Sequence, residues 1–150
     1  DFVHAALQRA GFSIDFWKIA MRPGKPFMYG RKGKIHALGL PGNPVSALVC
    51  AELFLKPLVA ALLGRRNVDP HQQFAHLGSP LPGNDQRQDH LRARLSWTDD
   101  GRLLATPFSR QDSSMMRTFR DADCLIVREP HAKPAELHAR VPIIDLRTAF

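Results

Sequence analysis

A set of cationic side chains and one strand-to-helix corner carry the chemistry open to this sequence. Lys18 lies inside the apolar run 12–21, among Phe16, Trp17, Ile19 and Met21. An ammonium there must either reach outward along its methylene stem or meet an anion, because burying it unpaired is costly. Arg22-Pro23-Gly24-Lys25-Pro26 follows. Its two prolines fix the backbone, so the turn presents Arg22 and Lys25 near the end of the strand that holds Lys18. Farther along stands Gly39-Leu40-Pro41-Gly42-Asn43-Pro44-Val45-Ser46-Ala47. Gly42 permits a positive φ and a close backbone approach. Asn43 is a preferred helix N-cap, and Pro44 fits the first helical position, where its missing N–H costs nothing. The N–H groups of Val45, Ser46 and Ala47 would then point into the space above the strand. Unpaired donors and the positive end of the helix dipole attract anions at such a start. A well-capped corner with no ligand fits the same residues.

Charge placement bears on that choice. The 150 residues carry 21 Lys/Arg, 14 Asp/Glu and a formal charge of +7. Residues 1–66 hold ten of the basic and three of the acidic side chains, so the whole excess falls in the part that carries the corner. Residues 67–150 are neutral overall. The imbalance points to an anionic ligand in the first part. Nucleic acid is the rival anion, but no basic helix and no ladder of stacking aromatics accompanies the cations. Cys50 and Cys124 each lie in an apolar run and read as buried free thiols of a reducing compartment. The dispersed histidines form no metal-ligand spacing. The apolar stretch 45–63 is long enough to raise the question of a membrane span. Glu52, Lys56 and Pro57 within it argue instead for a soluble helix and a cytoplasmic chain.

The elements that must position these groups follow from periodicity and punctuation. Asp1 can cap a helix with Phe2, Val3, Ala6, Leu7 and Ala10 on one face, stopped by Gly11. Strands are expected at 12–21, 27–30 and 35–40, with Phe16 and Trp17 in the core. The basic turn Arg31-Lys32-Gly33-Lys34 reads as hairpin chemistry whose charges only solubilise. The helix from Pro44 is apolar on nearly every side and is expected to be largely buried. Pro57 should kink it or start a second segment, and Gly64 should end it. Beyond a linker at 65–72 the pattern becomes short strands, at 73–78, 91–97, 103–107, 125–128 and 139–145, with one helix at 113–120. Asp99-Asp100-Gly101 is a hairpin turn. The second part reads as a small barrel or sandwich, closed to protect its edges.

Phe16-Trp17-Lys18-Ile19-Ala20-Met21-Arg22-Pro23-Gly24-Lys25-Pro26 and Gly39-Leu40-Pro41-Gly42-Asn43-Pro44-Val45-Ser46-Ala47, in this order and at this separation, closely resemble the MoeA family of molybdopterin molybdenumtransferases. The gephyrin E domain is the animal relative. Arg92-Ala93-Arg94-Leu95, Gln111-Asp112-Ser113-Ser114 and Ala122-Asp123-Cys124-Leu125-Ile126-Val127 are similar to that family's C-terminal β-domain. The resemblance implies an α/β fold: residues 1–66 as the C-terminal portion of a three-layer α/β/α molybdopterin-binding domain of the MogA/MoeA kind, and residues 67–150 as a small all-β, barrel-like domain. It also implies that Asp1 ends the family's Gly-x-x-Asp motif. The chain would then be the C-terminal part of a longer enzyme, incomplete and inactive alone.

By the same resemblance the activity is insertion of molybdate into adenylylated molybdopterin with a divalent cation, Mg2+, releasing AMP and molybdenum cofactor. Asp1 would hold the metal or orient molybdate. Lys18, Arg22 and Lys25 would supply cationic donors, and Pro41, Gly42, Asn43, Pro44, Val45 and Ser46 would bind the cofactor. The full protein would be a homodimer that meets a MogA-type adenylyltransferase. Two departures stand out: Arg22 replaces a lysine common in relatives, and Gln111-Asp112-Ser113-Ser114 lacks both glycines of the family's Gln-Gly-Ser-Gly. The alternative implied by the gephyrin relatives is a protein-interaction module that binds receptor peptides.

Overall fold

The computed structural model of the protein describes residues 2–66, 68, 72–111 and 116–147. Helix α1 (Phe2–Arg9) leads into β1 (Ser13–Trp17), and β1, β3 (Met28–Lys32) and β4 (Ile35–Gly39) form an antiparallel sheet in the order β1-β3-β4. The β3–β4 hairpin turns on Gly33 and Lys34, with Gly33 at φ 58, where a side chain would be strained. Arg31 and Lys32 do more than solubilise. Arg31 Nε donates to Asp15 Oδ2 at 2.8 Å, and Lys32 Nζ donates to the Ala10 carbonyl at 2.8 Å, tying the hairpin to β1 and to the end of α1.

The expected strand 12–21 divides in two. It stops at Trp17, Lys18 turns left-handed at φ 65, and a two-residue strand β2 (Met21–Arg22) resumes in another sheet. The predominance of apolar residues disguised this, because only the backbone reversal at Lys18 lets one stretch serve two sheets. Phe16 and Trp17, read as core, are 42% and 36% exposed. β1 is an edge strand: the His4 ring stacks on Trp17, and the Phe27 and Tyr29 rings flank Phe16, but neither residue is enclosed.

Helix α2 (Pro44–Cys50) runs into a π-helical turn (Ala51–Leu55) and then α3 (Lys56–Leu62). Pro57 is the physical reason. It has no N–H to return to the Leu53 carbonyl, and the helix widens just before it, with the Lys56 amide reaching back to Ala51. Glu52 and Lys56 pair across one turn at 2.6 Å. The expectation that this helix is largely buried fails. Val45, Val49, Cys50 and Ala60 are buried, whereas Leu48, Leu55, Val59 and Leu62 are exposed. Sheet and barrel cover one side of it only. Residues 44–62 are also long and apolar enough to cross a membrane by composition, with 28% of that window buried.

The second part is a closed barrel. Strands β5 (Gln72–Leu77), β6 (Gln88–Trp97), β7 (Leu103–Pro107), β8 (Cys124–Arg128) and β9 (Arg140–Asp145) run β6-β7-β5-β9-β8, and β8 pairs back onto β6. Closure leaves no long edge unpaired. β6 starts at Gln88 rather than at 91, because polar Gln88-Asp89-His90 pairs with β2 on one side and β8 on the other. The short helix α4 (Met116–Arg120) lies in the span read as helix 113–120, of which 113–115 fall outside the described residues.

Alternation along β8 joins the two parts. Cys124 and Ile126 face the barrel interior with Ala75, Leu77, Ala93, Ala105, Val141 and Ile143. Leu125 and Val127 face the other way, into a cluster with Met21, Phe27, Val45, Val49, Cys50 and Ile144. One apolar core therefore spans residues from both sides of the linker, and the parallel pairing of β2 with β6 adds backbone bonds to it. Both cysteines are free and buried as read from sequence, and burial pushes each thiol up to about 12, so neither is nucleophilic at neutral pH.

Candidate functional site

The loop between β1 and β3 is built from backbone bonds. The Lys18 amide donates to the Phe27 carbonyl at 3.0 Å, Ile19 to Lys25 at 2.9 Å, and Phe27 to Gly24 at 3.0 Å. These bonds hold residues 18–19 against 25–27, so the turn expected from its two prolines is a rigid platform. Arg22-Pro23 is cis. Gly24, at φ 120, sits over the buried Cys50: a Cβ added there would lie 2.8 Å from Sγ. The platform is thereby seated directly on α2.

The predicted cations fare differently on it. Lys18 and Lys25 are exposed. The Lys18 Nζ lies 4.2 Å from the centre of the Trp17 ring, and the His4 ring stacks on Trp17 at 4.7 Å. Arg22 points to the barrel. Its Nη1 donates to Asp85 Oδ2 at 3.1 Å, and its Nη2 reaches Asp89 and, at 3.4 Å, Asn84 Oδ1. The hydrogen bond to Asp89 raises the Arg22 pKa against the opposing effect of burial. Asp85 is held down to about 2, chiefly by its hydrogen bonds with Arg87, with Arg22 adding charge. A planar fork suits this double carboxylate contact where a lysine point charge would not, so the substitution noted in the sequence has a structural partner.

Asn84, Asp85 and Asp89 went unrecognised in the sequence. Their signal was local, an Asn-Asp turn and a polar strand start, but their link to Arg22 crosses more than sixty positions. Arg22, Asn84, Asp89, Gln111 and Arg128 line a cleft of about 440 Å3 between the platform and the barrel. Asp89 is 5% exposed, and its Oδ1 has no hydrogen-bond partner among the described residues. Arg128 Nη2 donates to the carbonyls of Lys133 at 2.6 Å and Pro82 at 3.2 Å. The Gln111 side chain bonds both the amide and the carbonyl of Arg92. The next residues of that loop, 112–115, lie outside the described residues.

At the corner, Asn43 caps α2 as read, but the expected free donors are taken. Asn43 Oδ1 accepts from the Val45 amide at 3.1 Å and the Ser46 amide at 3.4 Å, and the Ala47 amide donates to the Asn43 carbonyl. Gly42 is not in the positive-φ region, and a Cβ there would meet open space. Pro41 is buried, Pro44 exposed, and Val45 and Ser46 are buried beneath the helix start. The corner is a self-satisfied cap. Replacing Asn43 by Ala should lower stability by about 1 kcal/mol in urea titrations. An unchanged midpoint would show that the cap is dispensable.

Asp1, the residue assigned to metal and catalysis, lies outside the described residues. Among the described residues no group of three or more His, Cys, Asp or Glu side chains is placed to hold a cation.

A cationic platform on an apolar helix, joined through one core to a small closed barrel, defines a class of α/β protein with a β-domain appended. Residues 1–61 match the family model described as a probable molybdopterin binding domain, and residues 75–146 match the MoeA C-terminal region, domain IV. The chain belongs to the MoeA family. It is 35% identical over 130 residues to the molybdopterin molybdenumtransferase of Haemophilus influenzae, covering 86% of this chain and 32% of that protein. It is 31% identical over 149 residues to the enzyme of the same name from Bacillus subtilis, covering 98% and 34%. The solved structure of the molybdopterin biosynthesis MoeA protein from Pyrococcus horikoshii superposes with a TM-score of 0.77 at 25% identity, over 97% of this chain and 35% of that one. The chain thus spans about a third of the length of the relatives it matches.

Proposed function

We propose that this chain is part of a transferase that inserts molybdate into adenylylated molybdopterin, releasing AMP and molybdenum cofactor, in the cytoplasm. The supporting observation is the platform itself: two exposed ammonium groups, Lys18 and Lys25, on a loop locked by its own backbone bonds, with Arg22 of the same loop lining a cleft against the barrel. Molybdate and the phosphates of the adenylylated substrate are anions, and their transfer calls for charge neutralisation and positioning more than for a nucleophile. Lys18 and Lys25 neutralise and orient the oxyanion. Arg22 borders the same cleft, adding positive potential while its contacts with Asp85 and Asp89 hold the platform against the barrel. The 41–46 corner contributes shape and the helix dipole rather than free donors. Mg2+, a homodimer and a MogA-type adenylyltransferase partner belong to the same reading of the whole protein, with Asp1 as the metal ligand.

The test uses the full polypeptide that carries this chain. Lys18→Ala and Lys25→Ala should each lower cofactor output by about tenfold or more, the loss of one charge-assisted contact, with the melting temperature retained. Wild-type output from both variants would sink the assignment.

A further inference from the structure

The two faces of β6 open on different clefts. Asp89 and Leu91 face the one that holds Arg22, whereas Gln88 and His90, on the opposite face by strand alternation, line a second cleft with Glu129. At the first cleft the barrel offers Arg22 three acceptors. Asp85 Oδ2 accepts from Nη1 at 3.1 Å, while Asp89 Oδ2 and, at 3.4 Å, Asn84 Oδ1 accept from Nη2. Arg22 and Asp89 are also direct partners in the parallel pairing of β2 with β6.

These acceptors are fixed by bonds in which Arg22 has no part. Asn84 Nδ2 donates to the carbonyls of Arg87 at 2.8 Å, Glu129 at 2.9 Å and Arg128 at 3.1 Å, and its Oδ1 accepts from the Asp85 amide at 3.0 Å. Asp85 Oδ1 accepts from the Arg87 amide at 2.8 Å, and its Oδ2 from Arg87 Nη2 at 3.0 Å. Asp89 is 5% exposed, held in β6 between β2 and β8. The barrel therefore carries a ready-made socket shaped for a planar, two-pronged donor, which a lysine nitrogen does not match. Its walls differ in strength. The Asp85 contact is half-exposed at both ends and contributes little. Asp89 is buried, so the strong charge-assisted bond is the one to its carboxylate.

The consequence lies in what Arg22 is joined to. Lys18 stands just before it and Lys25 just after, in the loop whose residues 18–19 and 25–27 are bonded together. We propose that Asn84, Asp85 and Asp89 are positioning residues for the oxyanion site: their grip on Arg22 sets where Lys18 and Lys25 present their ammonium groups. Arg22 acts through the platform, and an oxyanion reaching for it has to displace two carboxylates. The consequence for the oxyanion rests on the function proposed above, whereas the grip rests on the geometry of the socket alone.

Three variants of the full polypeptide test this. Arg22→Lys keeps the charge and restores the residue common in relatives, yet it should weaken molybdate binding about tenfold with the melting temperature retained. Asp89→Asn should do the same. The opposite sign is expected if Arg22 itself grips the oxyanion, because removing a competing carboxylate would free it. The double variant should bind molybdate no more weakly than the worse single one, since both remove the same contact. Unchanged or tighter binding in either single variant, or losses that multiply in the double, overturns the proposal. A ligand-free measurement separates this from failure of the oxyanion site. The Gln88 amide donates to the Ala20 carbonyl at 2.9 Å, across the join between platform and barrel. Its hydrogen exchange should speed up about threefold or more in Arg22→Lys. Unchanged exchange also overturns the proposal. Faster exchange, combined with wild-type molybdate binding in Lys18→Ala and Lys25→Ala, would uphold the grip on Arg22 and place the failure in the oxyanion site.

Discussion

Acidification from pH 6.5 to about 4 should remove about 3 kcal/mol of stability through His90 alone, and His90→Asn should abolish that part of the loss. Burial in β6 holds the folded-state pKa down to about 4 from an ordinary 6.5, and the charge of neighbouring Asp89 pulls weakly the other way. Glu129 and Gln88 share its cleft, and Val127 faces it on β8. The sign follows from proton counting. Between the two values the unfolded chain binds a proton at this residue and the folded chain does not, so stability rises with pH across that window. Above pH 6.5 both states are neutral there and His90 adds no slope. Urea unfolding at pH 7 and pH 4.5 measures it. The difference between those pH values should be larger in the wild type than in His90→Asn by most of that amount. Equal differences would mean that the imidazole is hydrated in the folded state. Asp85 belongs to a lower window: with its pKa held to about 2, the stability it contributes is present above the ordinary carboxylate range and is lost as pH falls toward 2.

Gly24→Ala should destabilise the protein by about 3 kcal/mol, from two separable causes. At φ 120 any L side chain is strained, and the new Cβ would stand 2.8 Å from Cys50 Sγ and 3.1 Å from Met21 Cε. Cys50 lies in the fully buried stripe of α2 and has little room to yield. Trimming the sulfur should relieve one cause and leave the other. In a Cys50→Ala background, Gly24→Ala should therefore cost only about 1 to 2 kcal/mol. A double-mutant cycle in urea reads the difference directly. Strict additivity would show that backbone strain alone sets the penalty. On the function proposed above, the same substitution in the full polypeptide should also lower cofactor output beyond its effect on stability, because it displaces the platform carrying Lys25.

Much of the fold was legible. The barrel strands fell close to their expected places because Leu91, Ala93 and Leu95 alternate with polar neighbours, and Asp99-Asp100-Gly101 announces its own hairpin. Asn43 and Pro44 marked the start of α2, and Pro57 marked its irregularity. What the pattern concealed is where a largely apolar stretch is divided between sheets. Residues 12–21 look like one strand by composition, yet a single left-handed residue, Lys18, sends β1 and β2 to different sheets. Side-chain hydrophobicity does not report φ. Likewise, apolar residues all round a helix imply burial only if there is something to cover every face, and the described residues cover one.

The site was legible as chemistry and not as geometry. Residue types and spacing alone determined a cationic, proline-stiffened turn and a capped corner on an excess of positive charge, and the resemblance of those two motifs to known sequences pointed to the family. The tertiary structure decided which donors are available. It engaged Arg22 with Asp85 and Asp89 from the barrel and satisfied the corner amides through the Asn43 side chain. Lys18 and Lys25 remain exposed on the platform, and Glu129 and His90 meet in a second cleft. The reason is that a side chain's partner is set by distance in space. Residues far apart in the chain meet only once β2 pairs with β6 and a shared core brings the two parts together.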